Sequence, residues 1–297
     1  MGAVQANGIT IEYETFGRGG DPPLLLVNGY TSQLLGWDQR FCRALADGGR
    51  YVIRYDNRDV GLSTHLDGAR VSLNDIFKAR KGEIPMPEVP YTLSDFAADG
   101  MGLLDALDIE SAHIMGMSMG GMIVQTMAIE HPRQVRSLIS VMSHTGENEY
   151  GRSTKEANAA LMTAPPRERE AYVEHSVRQG RLWSSPRFYD EAAAAEKAAA
   201  QYDRAFYPEG ATRQLAAIMA SPPRADGLRA LKVPTLVIHG RADTLITPSG
   251  GERTAELVPG ADLLLLAEMG HDLPAPLWPV LVHAVLGHTG YADSLRA

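Results

Sequence analysis

Short apolar runs alternate along the chain with longer segments in which apolar residues recur every three or four positions. The short runs have the length of strands, whereas the longer segments have the period of helices. Strands and helices in alternation are typical of a mostly parallel sheet with helices packed on its faces. The pattern therefore predicts an α/β protein.

The apolar runs differ in how they expose their two faces. The run at 9–16 alternates apolar and polar positions and is interpreted as an edge strand. The run PLLLV at 23–27 is continuously apolar, as expected of a strand buried on both faces. Further strands are predicted at 51–55, 112–115, 135–141, 234–239 and 261–266, and helices at 34–45, 91–107, from GMSMGG through 130, and 277–286.

The character of the chain changes between residues 144 and 228. This segment has no strand pattern, is rich in Ala, Arg and Glu, and includes the strong helix former EAAAAEKAAA at 191–200. Prolines divide it into about four predicted helices. We name residues 144–228 the helical insertion and predict that it forms a cap, while 1–143 and 229–297 form the core. We expect it, with the proline-rich segment 66–90, to border a cleft.

Composition and charge narrow the class of protein. The 297 residues are 44% hydrophobic and 22% charged, which is ordinary for a globular protein. The net charge of -8, from 28 Lys+Arg against 36 Asp+Glu, argues against a nucleic-acid partner, because such partners need a concentrated basic face. Cys42 is the only cysteine, which excludes an intramolecular disulfide and a multi-thiolate metal site.

Signals for export, membrane insertion and cofactor binding are not found in the sequence. The first ten residues lack the basic and apolar regions of a secretory signal. The apolar runs are far shorter than the roughly 20 residues that span a bilayer. No HExxH, CxxC, Walker or GxGxxG pattern occurs, so we expect no metal and no cofactor. We expect a cytoplasmic protein without a transmembrane segment; a homo-oligomer is left open.

The strongest chemical signal is the segment Gly116-Met117-Ser118-Met119-Gly120, between a predicted strand and a predicted helix. In a G-x-S-x-G elbow the serine occupies a sharp, strained turn that presents its hydroxyl at the sheet edge. The residues two before and two after the serine must be small, because side chains there would collide inside the turn. Ser118 is therefore the predicted nucleophile.

A serine hydroxyl needs a general base, and the base needs an acid to orient it. In elbow enzymes the order along the chain is Ser, then Asp or Glu, then His. His271 follows the last predicted strand and is the predicted base. Asp243, after strand 234–239, is the predicted acid, with Glu147 as its rival. Among the other histidines, those on strands (His113, His239) are expected in the core and those near the terminal helix (His283, His288) in solvent.

Negative charge on a reacting carbonyl oxygen requires backbone N–H donors directed at it. One donor is expected from Met119, which follows the nucleophile at the start of a helix. The other is expected from Tyr30 in Asn28-Gly29-Tyr30, where Gly29 permits a tight turn after strand 23–27. Apolar residues near these loops are candidates for a hydrophobic substrate pocket: Leu34, Leu35, Met122, Met142, Trp183, Leu245 and Ile246.

Five segments together resemble the α/β-hydrolase superfamily over nearly the whole chain. They are NGY (28–30), RYDNRDVGLS (54–63), GMSMGG (116–121), HGRADTLITP (239–248) and EMGH (268–271). Within the superfamily the chain is similar to bacterial serine esterases, including the aclacinomycin methylesterase type. The resemblance implies an eight-stranded sheet with a helical cap, and a triad at Ser118, Asp243 and His271.

The chain departs from the superfamily pattern at two positions. Many relatives have His where this chain has Asn28; because the oxyanion donors are backbone groups, we expect the hole to be retained. Many also have Gly where this chain has Asp59, which leaves the geometry of that turn open. Asp56 and Arg58, in the same loop, are interpreted as scaffolding charges beside the elbow.

The resemblance predicts serine-dependent hydrolysis of a carboxylic ester of a lipophilic small molecule, through an acyl-enzyme. Two alternatives stay open. Cofactor-free haloperoxidases and perhydrolases share the pair Ser118-Met119, and some superfamily members are ligand receptors with an intact triad and little turnover.

Overall fold

The computed structural model of the protein describes residues 1–296. Its strands are β1 (Gly2–Ala6), β2 (Ile9–Phe16), β3 (Pro23–Val27), β4 (Tyr51–Tyr55), β5 (Ala112–Met117), β6 (Val135–Val141), β7 (Thr235–Gly240) and β8 (Asp262–Leu266). Its helices are α1 (Gln39–Asp47), α2 (Leu73–Arg80), α3 (Leu93–Ala106), α4 (Met119–Glu130), α5 (Lys155–Leu161), α6 (Arg169–Trp183), α7 (Glu191–Arg204), α8 (Glu209–Ala220), α9 (Ala225–Arg229), α10 (Ser249–Leu257) and α11 (Trp278–Ser294).

The strands form one eight-stranded sheet in the order β1-β2-β4-β3-β5-β6-β7-β8. The pairs β1–β2 and β2–β4 are antiparallel, and all others are parallel. The predicted α/β class and the eight-stranded sheet are thereby confirmed. Because β3 and β5 to β8 run the same way, the loops that follow them meet at one edge of the sheet.

Both faces of the sheet are covered by apolar packing. On one face Leu25 and Ile114 pack with residues of α3 and α4, including Phe96 and Ile123. On the other face Leu24 packs with residues of α1 and α11. Strand β3 is fully buried, as its continuous apolar run predicts. Helix α4, which starts at the predicted elbow, buries ten of its residues, so its amino-terminal end is firmly placed against the sheet.

The structure corrects the interpretation of segment 9–16 as an edge strand. β2 is paired on both sides, with β1 and with β4, and β1 is the edge. β1 was missed because its GAVQA sequence is short and four of its five residues are small or polar, which leaves little hydrophobic signal. Its position at the edge depends on pairing with β2, which the sequence pattern does not specify.

Two helical predictions are also corrected, and the proline-rich segment 66–90 contains a helix that was not predicted. Segment 66–90 contains α2, whose first turn is capped by the Ser72 side chain accepting from the Asp75 amide. The terminal helix extends to Ser294 and buries His288, which was expected in solvent. The helical insertion contains five helices instead of about four.

The helical insertion has packing of its own. The rings of Tyr172 on α6, Tyr202 on α7 and Phe206 lie with centroids 4.6–5.4 Å apart. Arg169 adds a two-pronged ion pair to Asp203, at 2.7 Å for both contacts. These contacts join α6 to α7.

The domain boundaries at 144 and 228 stay a prediction. None of the helices in residues 1–296 is long and apolar enough to cross a membrane.

Candidate active site

Ser118 lies between the end of β5 and the start of α4, with φ of 58° and ψ of -121°. A positive φ is strained for a residue with a side chain and persists only where the surroundings enforce it. Here the Ser118 N–H donates to the Val141 carbonyl (3.0 Å), and the Ser143 hydroxyl donates to the Ser118 carbonyl (2.8 Å). A Cβ on Gly116 would collide with the Gly120 carbonyl, which explains the small residues of the elbow.

The structure brings three predicted side chains into one hydrogen-bonded chain. His271 Nε2 is 2.9 Å from Ser118 Oγ, and His271 Nδ1 is 2.7 Å from Asp243 Oδ2. The other carboxylate oxygen, Oδ1, accepts the N–H groups of Leu245 and Ile246, each at 2.9 Å. Asp243 therefore meets one donor from the imidazole and two from its own loop, which fixes the carboxylate plane.

Asp243 is buried, yet it stays ionised. Burial would raise its pKa, but the adjacent His271 and His239 outweigh burial, and the pKa is lowered from its ordinary value of 3.8. His239 is fully buried below it. Its Nε2–H donates to the Ile246 carbonyl (2.8 Å) and lies 3.5 Å from Asp243 Oδ2. His239 is thus a hydrogen-bonded core residue, as the sequence suggested.

Two backbone N–H groups beside Ser118 are free to act as donors. Within residues 1–296 neither the Met119 amide nor the Tyr30 amide has a hydrogen-bond acceptor. A Cβ on Gly29 would be 3.1 Å from the Ser118 Cβ, so Gly29 lets this turn lie against the elbow. Asn28 is buried and its side-chain amide is 3.4 Å from the Tyr55 carbonyl. The assignment of both amides to an oxyanion hole stays a prediction.

Comparison with known proteins agrees with this fold. The family model of the alpha/beta hydrolase fold matches residues 22–274. The chain belongs to this family. It is 27% identical to rhodomycin D methylesterase from Streptomyces sp. (strain C5), over 95% of each chain. It is 30% identical to 2-hydroxymuconate semialdehyde hydrolase from Pseudomonas putida, over 88% of this chain and 89% of the relative.

Solved structures give the same fold. The meta-cleavage product hydrolase from Pseudomonas fluorescens IP01 superposes with a TM-score of 0.76 at 21% identity, covering 98% of each chain. The esterase RhEst1 from Rhodococcus sp. ECU1013 gives a TM-score of 0.73 at 20% identity, covering 97% of each. Membership of this family and the likeness to methylesterases support hydrolase activity and, in general terms, ester hydrolysis.

A second Ser–His–Asp arrangement lies inside the protein. His113 Nδ1 is 2.9 Å from Ser137 Oγ, and His113 Nε2 is 3.0 Å from Asp293 Oδ1. Both His113 and Ser137 are 0% exposed, whereas Ser118 is partly exposed. Burial lowers the pKa of His113 to about 4, so its imidazole is neutral. This second arrangement has no access for a substrate, and it attaches α11 to the sheet.

The other predicted charges are engaged elsewhere. Glu147, the rival acid, forms an ion pair with Arg253 (3.0 Å) and does not contact His271. Asp56 is buried and accepts the N–H groups of two loop residues. Arg58 makes two 2.6 Å contacts with buried Asp99. Asp56 and Arg58 therefore hold loops in place, in line with a scaffolding role.

Asp59 occupies the position where many family members have glycine. Its φ is 63°, a backbone conformation that glycine adopts without strain. The Asp59 carboxylate is held by Arg213 of α8 (2.7 and 2.8 Å) and by the Tyr91 hydroxyl (2.6 Å). Asp59 therefore adopts a left-handed backbone conformation and adds an ion pair to α8 of the helical insertion.

The candidate pocket residues differ in exposure. Leu34, Met122 and Met142 are buried; Leu245 and Ile246 are nearly so. Leu35 and Trp183 are partly exposed. Substrate contact by any of the seven stays a prediction. Within residues 1–296 no three His, Cys, Asp or Glu side chains are grouped as a metal site requires.

Sequence reasoning missed direct contacts between the helical insertion and the loops of the site. The Trp183 carbonyl accepts the His271 N–H (2.6 Å). The Leu182 carbonyl accepts the hydroxyl of Thr244, the residue after Asp243 (2.7 Å). Gln214 accepts the Thr31 N–H (2.8 Å), one residue after Tyr30. The insertion is therefore bonded to the loops after β3, β7 and β8, through residues with no motif to identify them.

Proposed function

We propose that the protein hydrolyses carboxylic esters through an acyl-enzyme on Ser118. The observation that carries this proposal is the hydrogen-bonded chain from Ser118 Oγ through His271 to Asp243, at 2.9 and 2.7 Å, ending on a partly exposed serine. The family membership and the similarity to methylesterases support the reaction class. The buried arrangement around His113 serves as an internal comparison, because it has similar distances without access.

His271 acts as the general base. Its Nδ1–H donates to Asp243, so Nε2 carries the lone pair that accepts the Ser118 proton. Ser118 Oγ then bonds to the ester carbonyl carbon. Asp243 remains ionised and stabilises the imidazolium. His271 next gives this proton to the leaving alkoxide, and the C–O bond to the alcohol breaks. A water molecule, deprotonated by His271, then attacks the acyl carbon. The bond between this carbon and Ser118 Oγ breaks, His271 returns the proton to Oγ, and the carboxylic acid is released.

The tetrahedral intermediate carries its charge on the former carbonyl oxygen. The Met119 and Tyr30 amides are the donors for it, supported by the absence of other acceptors for either group in the described residues. The Met119 amide is also the first N–H of α4, and the helix dipole favours an anion at this amino-terminal end. Loss of one such donor reduces turnover about 100- to 1000-fold in comparable sites.

The substrate we propose is a lipophilic small molecule. The candidate pocket residues are aliphatic, sulfur-containing or aromatic, and Met side chains adapt to varied apolar shapes. The relatives named rhodomycin D methylesterase favour a methyl ester as one class to test. The partly exposed Trp183, next to the base loop, is the residue of the helical insertion that we place at this pocket.

The test is a panel of p-nitrophenyl esters of increasing acyl length, assayed with the wild-type protein, Ser118→Ala and Ser137→Ala. We expect the wild type to release a burst of p-nitrophenol. Turnover in Ser118→Ala should fall by more than about 1000-fold, as in other deletions of a triad serine. Ser137→Ala should retain its turnover. Turnover that survives in Ser118→Ala would contradict the proposal. Single-turnover release with tight product retention would favour a receptor, and bromide- and peroxide-dependent halogenation a haloperoxidase.

A further inference from the structure

The turn that carries the Tyr30 amide contains a strained residue. Thr31 has a φ of 56°. Positive φ is a genuine outlier for a β-branched residue. The Thr31 side chain is exposed, so core packing does not impose this conformation. The Ser32 N–H donates to the Gly29 carbonyl (3.2 Å), which makes Tyr30 and Thr31 the two central residues of a β-turn.

A β-turn with positive φ at its third residue normally has glycine there. With Thr31 in that position, the turn depends on the hydrogen bonds of the peptide between Tyr30 and Thr31. The Thr31 hydroxyl donates to the Tyr30 carbonyl of this peptide (2.8 Å), and its N–H needs an acceptor from elsewhere. Relaxation of Thr31 to negative φ would rotate this peptide and shift the Tyr30 Cα and the N–H attached to Tyr30. Misplacement of a catalytic group by about 1 Å is enough to cost about 100-fold in rate.

Gln214 of α8 holds this peptide. Its Oε1 accepts the Thr31 N–H (2.8 Å), and its Nε2 donates to the Arg58 carbonyl (2.9 Å). Gln214 is 0% exposed, so its side-chain amide is out of contact with solvent and depends on these two partners. Its two partners also fix which way the amide faces, because the reverse orientation would pair donor with donor. Within residues 1–296 the Thr31 N–H has no other acceptor.

The neighbouring contact through Gln33 does not replace this restraint. The Gln33 side chain donates to the carbonyls of Gln201 and Ala205, at 2.7 Å each. It ties the end of the same loop to α7 and leaves the peptide between Tyr30 and Thr31 unbound. Gln33 is therefore a matched control: it joins the loop to the helical insertion without restraining the strained residue.

We propose that Gln214 is a positioning residue for the oxyanion hole, which it keeps in shape by holding the strained Thr31 peptide. This inference rests on the proposed function, because it assigns the Tyr30 amide to the hole. Under this inference the oxyanion hole can bind the transition state only while α8 is packed against the loop after β3. The helical insertion then contributes to the geometry of the transition-state site.

The test is a double-mutant cycle with Gln214→Ala and Thr31→Gly, and with Gln33→Ala as the control. We expect Gln214→Ala to lower kcat/KM about 10- to 100-fold, part of the loss for a whole donor. In the Thr31→Gly background the same change should cost less than about 3-fold, because glycine adopts positive φ without strain. Gln33→Ala should stay within about 3-fold of the wild type.

Inhibition by a phenylboronic acid gives a second measurement. Its tetrahedral adduct on Ser118 places an oxygen in the hole, so its Ki should rise in parallel with the loss in kcat/KM. The Ki of a neutral alcohol product should change less than 2-fold. If Gln214→Ala does not fold, as judged by circular dichroism, Gln214→Met preserves the volume and removes both hydrogen bonds.

Equal losses in both Thr31 backgrounds, or unchanged boronate inhibition, would overturn the inference while ester hydrolysis itself stands. An inactive wild-type protein, or a fully active Ser118→Ala, would instead overturn the proposed function and this inference with it. The two failures are therefore distinguishable in one set of assays.

Discussion

Replacement of Asp243 by Asn should reverse the tautomer of His271. The Asp243 carboxylate accepts one N–H from His271 and two from Leu245 and Ile246. An Asn side chain has one oxygen and one NH₂ group. With the oxygen toward the two backbone N–H groups, two hydrogen bonds are kept; the reverse orientation would set NH₂ against two donors at 2.9 Å. The first orientation is therefore favoured.

In that orientation the NH₂ group donates to His271 Nδ1, which must then be the unprotonated ring nitrogen and accept a hydrogen bond instead of donating one. Nε2 consequently carries the hydrogen and can no longer accept the Ser118 proton. We expect Asp243→Asn to lower kcat about 10⁴-fold, as the same exchange does in the serine-protease triad. That factor corresponds to about 5.4 kcal/mol of transition-state stabilisation, at about 1.36 kcal/mol per factor of ten.

The assay is steady-state hydrolysis of a p-nitrophenyl ester, with thermal unfolding as a check on the fold. Asp272→Asn is the matched control, because Asp272 is adjacent to His271 in the chain but accepts from Ser185 and does not contact the imidazole. A loss of less than about 10-fold in Asp243→Asn, with the fold intact, would refute this account of how Asp243 orients the base.

Three further predictions concern stability and reactivity. Gly116→Ala should lower the free energy of unfolding, measured in urea, by about 3 kcal/mol or more, because the new Cβ would overlap a backbone carbonyl. Gly19→Ala is the control: Gly19 has open space around it, so this change should leave the free energy of unfolding unchanged. Burial opposes ionisation of Asp59, but Arg213 lowers its pKa below 3.8. The ionised Asp59 therefore stabilises the fold fully above about pH 4, and this stabilisation is lost as the pH falls through the lowered pKa. Asp59→Asn should make the free energy of unfolding depend less on pH in this acid range. A urea midpoint that varies with pH as in the wild type would contradict this prediction. Burial raises the pKa of Cys42 to about 12, so iodoacetamide should label it only after unfolding, as mass spectrometry would report.

Part of the site follows from short stretches of sequence. The elbow is specified by Gly116, Ser118 and Gly120, because only small residues fit a turn of this kind. Asp243 and His271 follow predicted strands, and parallel strands deliver their following loops to one edge of the sheet. These local rules named Ser118 and His271 and left Glu147 as a rival to Asp243 for the acid; the structure brings Ser118, His271 and Asp243 together at 2.9 and 2.7 Å.

Other features depend on partners far apart in the chain. β1 was missed because its place at the edge comes from pairing with β2, and His288 was misassigned because α11 continues beyond its apolar pattern. The second Ser–His–Asp arrangement joins His113 to Asp293, 180 residues away. Nothing in the local sequence of either residue distinguishes this buried arrangement from an accessible one.

The sequence by itself determined the α/β class, the elbow and the side chains that could form a base and an acid, because each follows from local sterics or from hydrophobic periodicity. Only the tertiary structure decided which of these groups meet, which serine is accessible, and how the helical insertion contacts the loops. Gln214 and Thr31 are 183 residues apart, and their contact exists only once α8 is packed against the loop after β3. Long-range contacts of this kind depend on the packing of the whole chain, so they cannot be predicted from a short sequence motif.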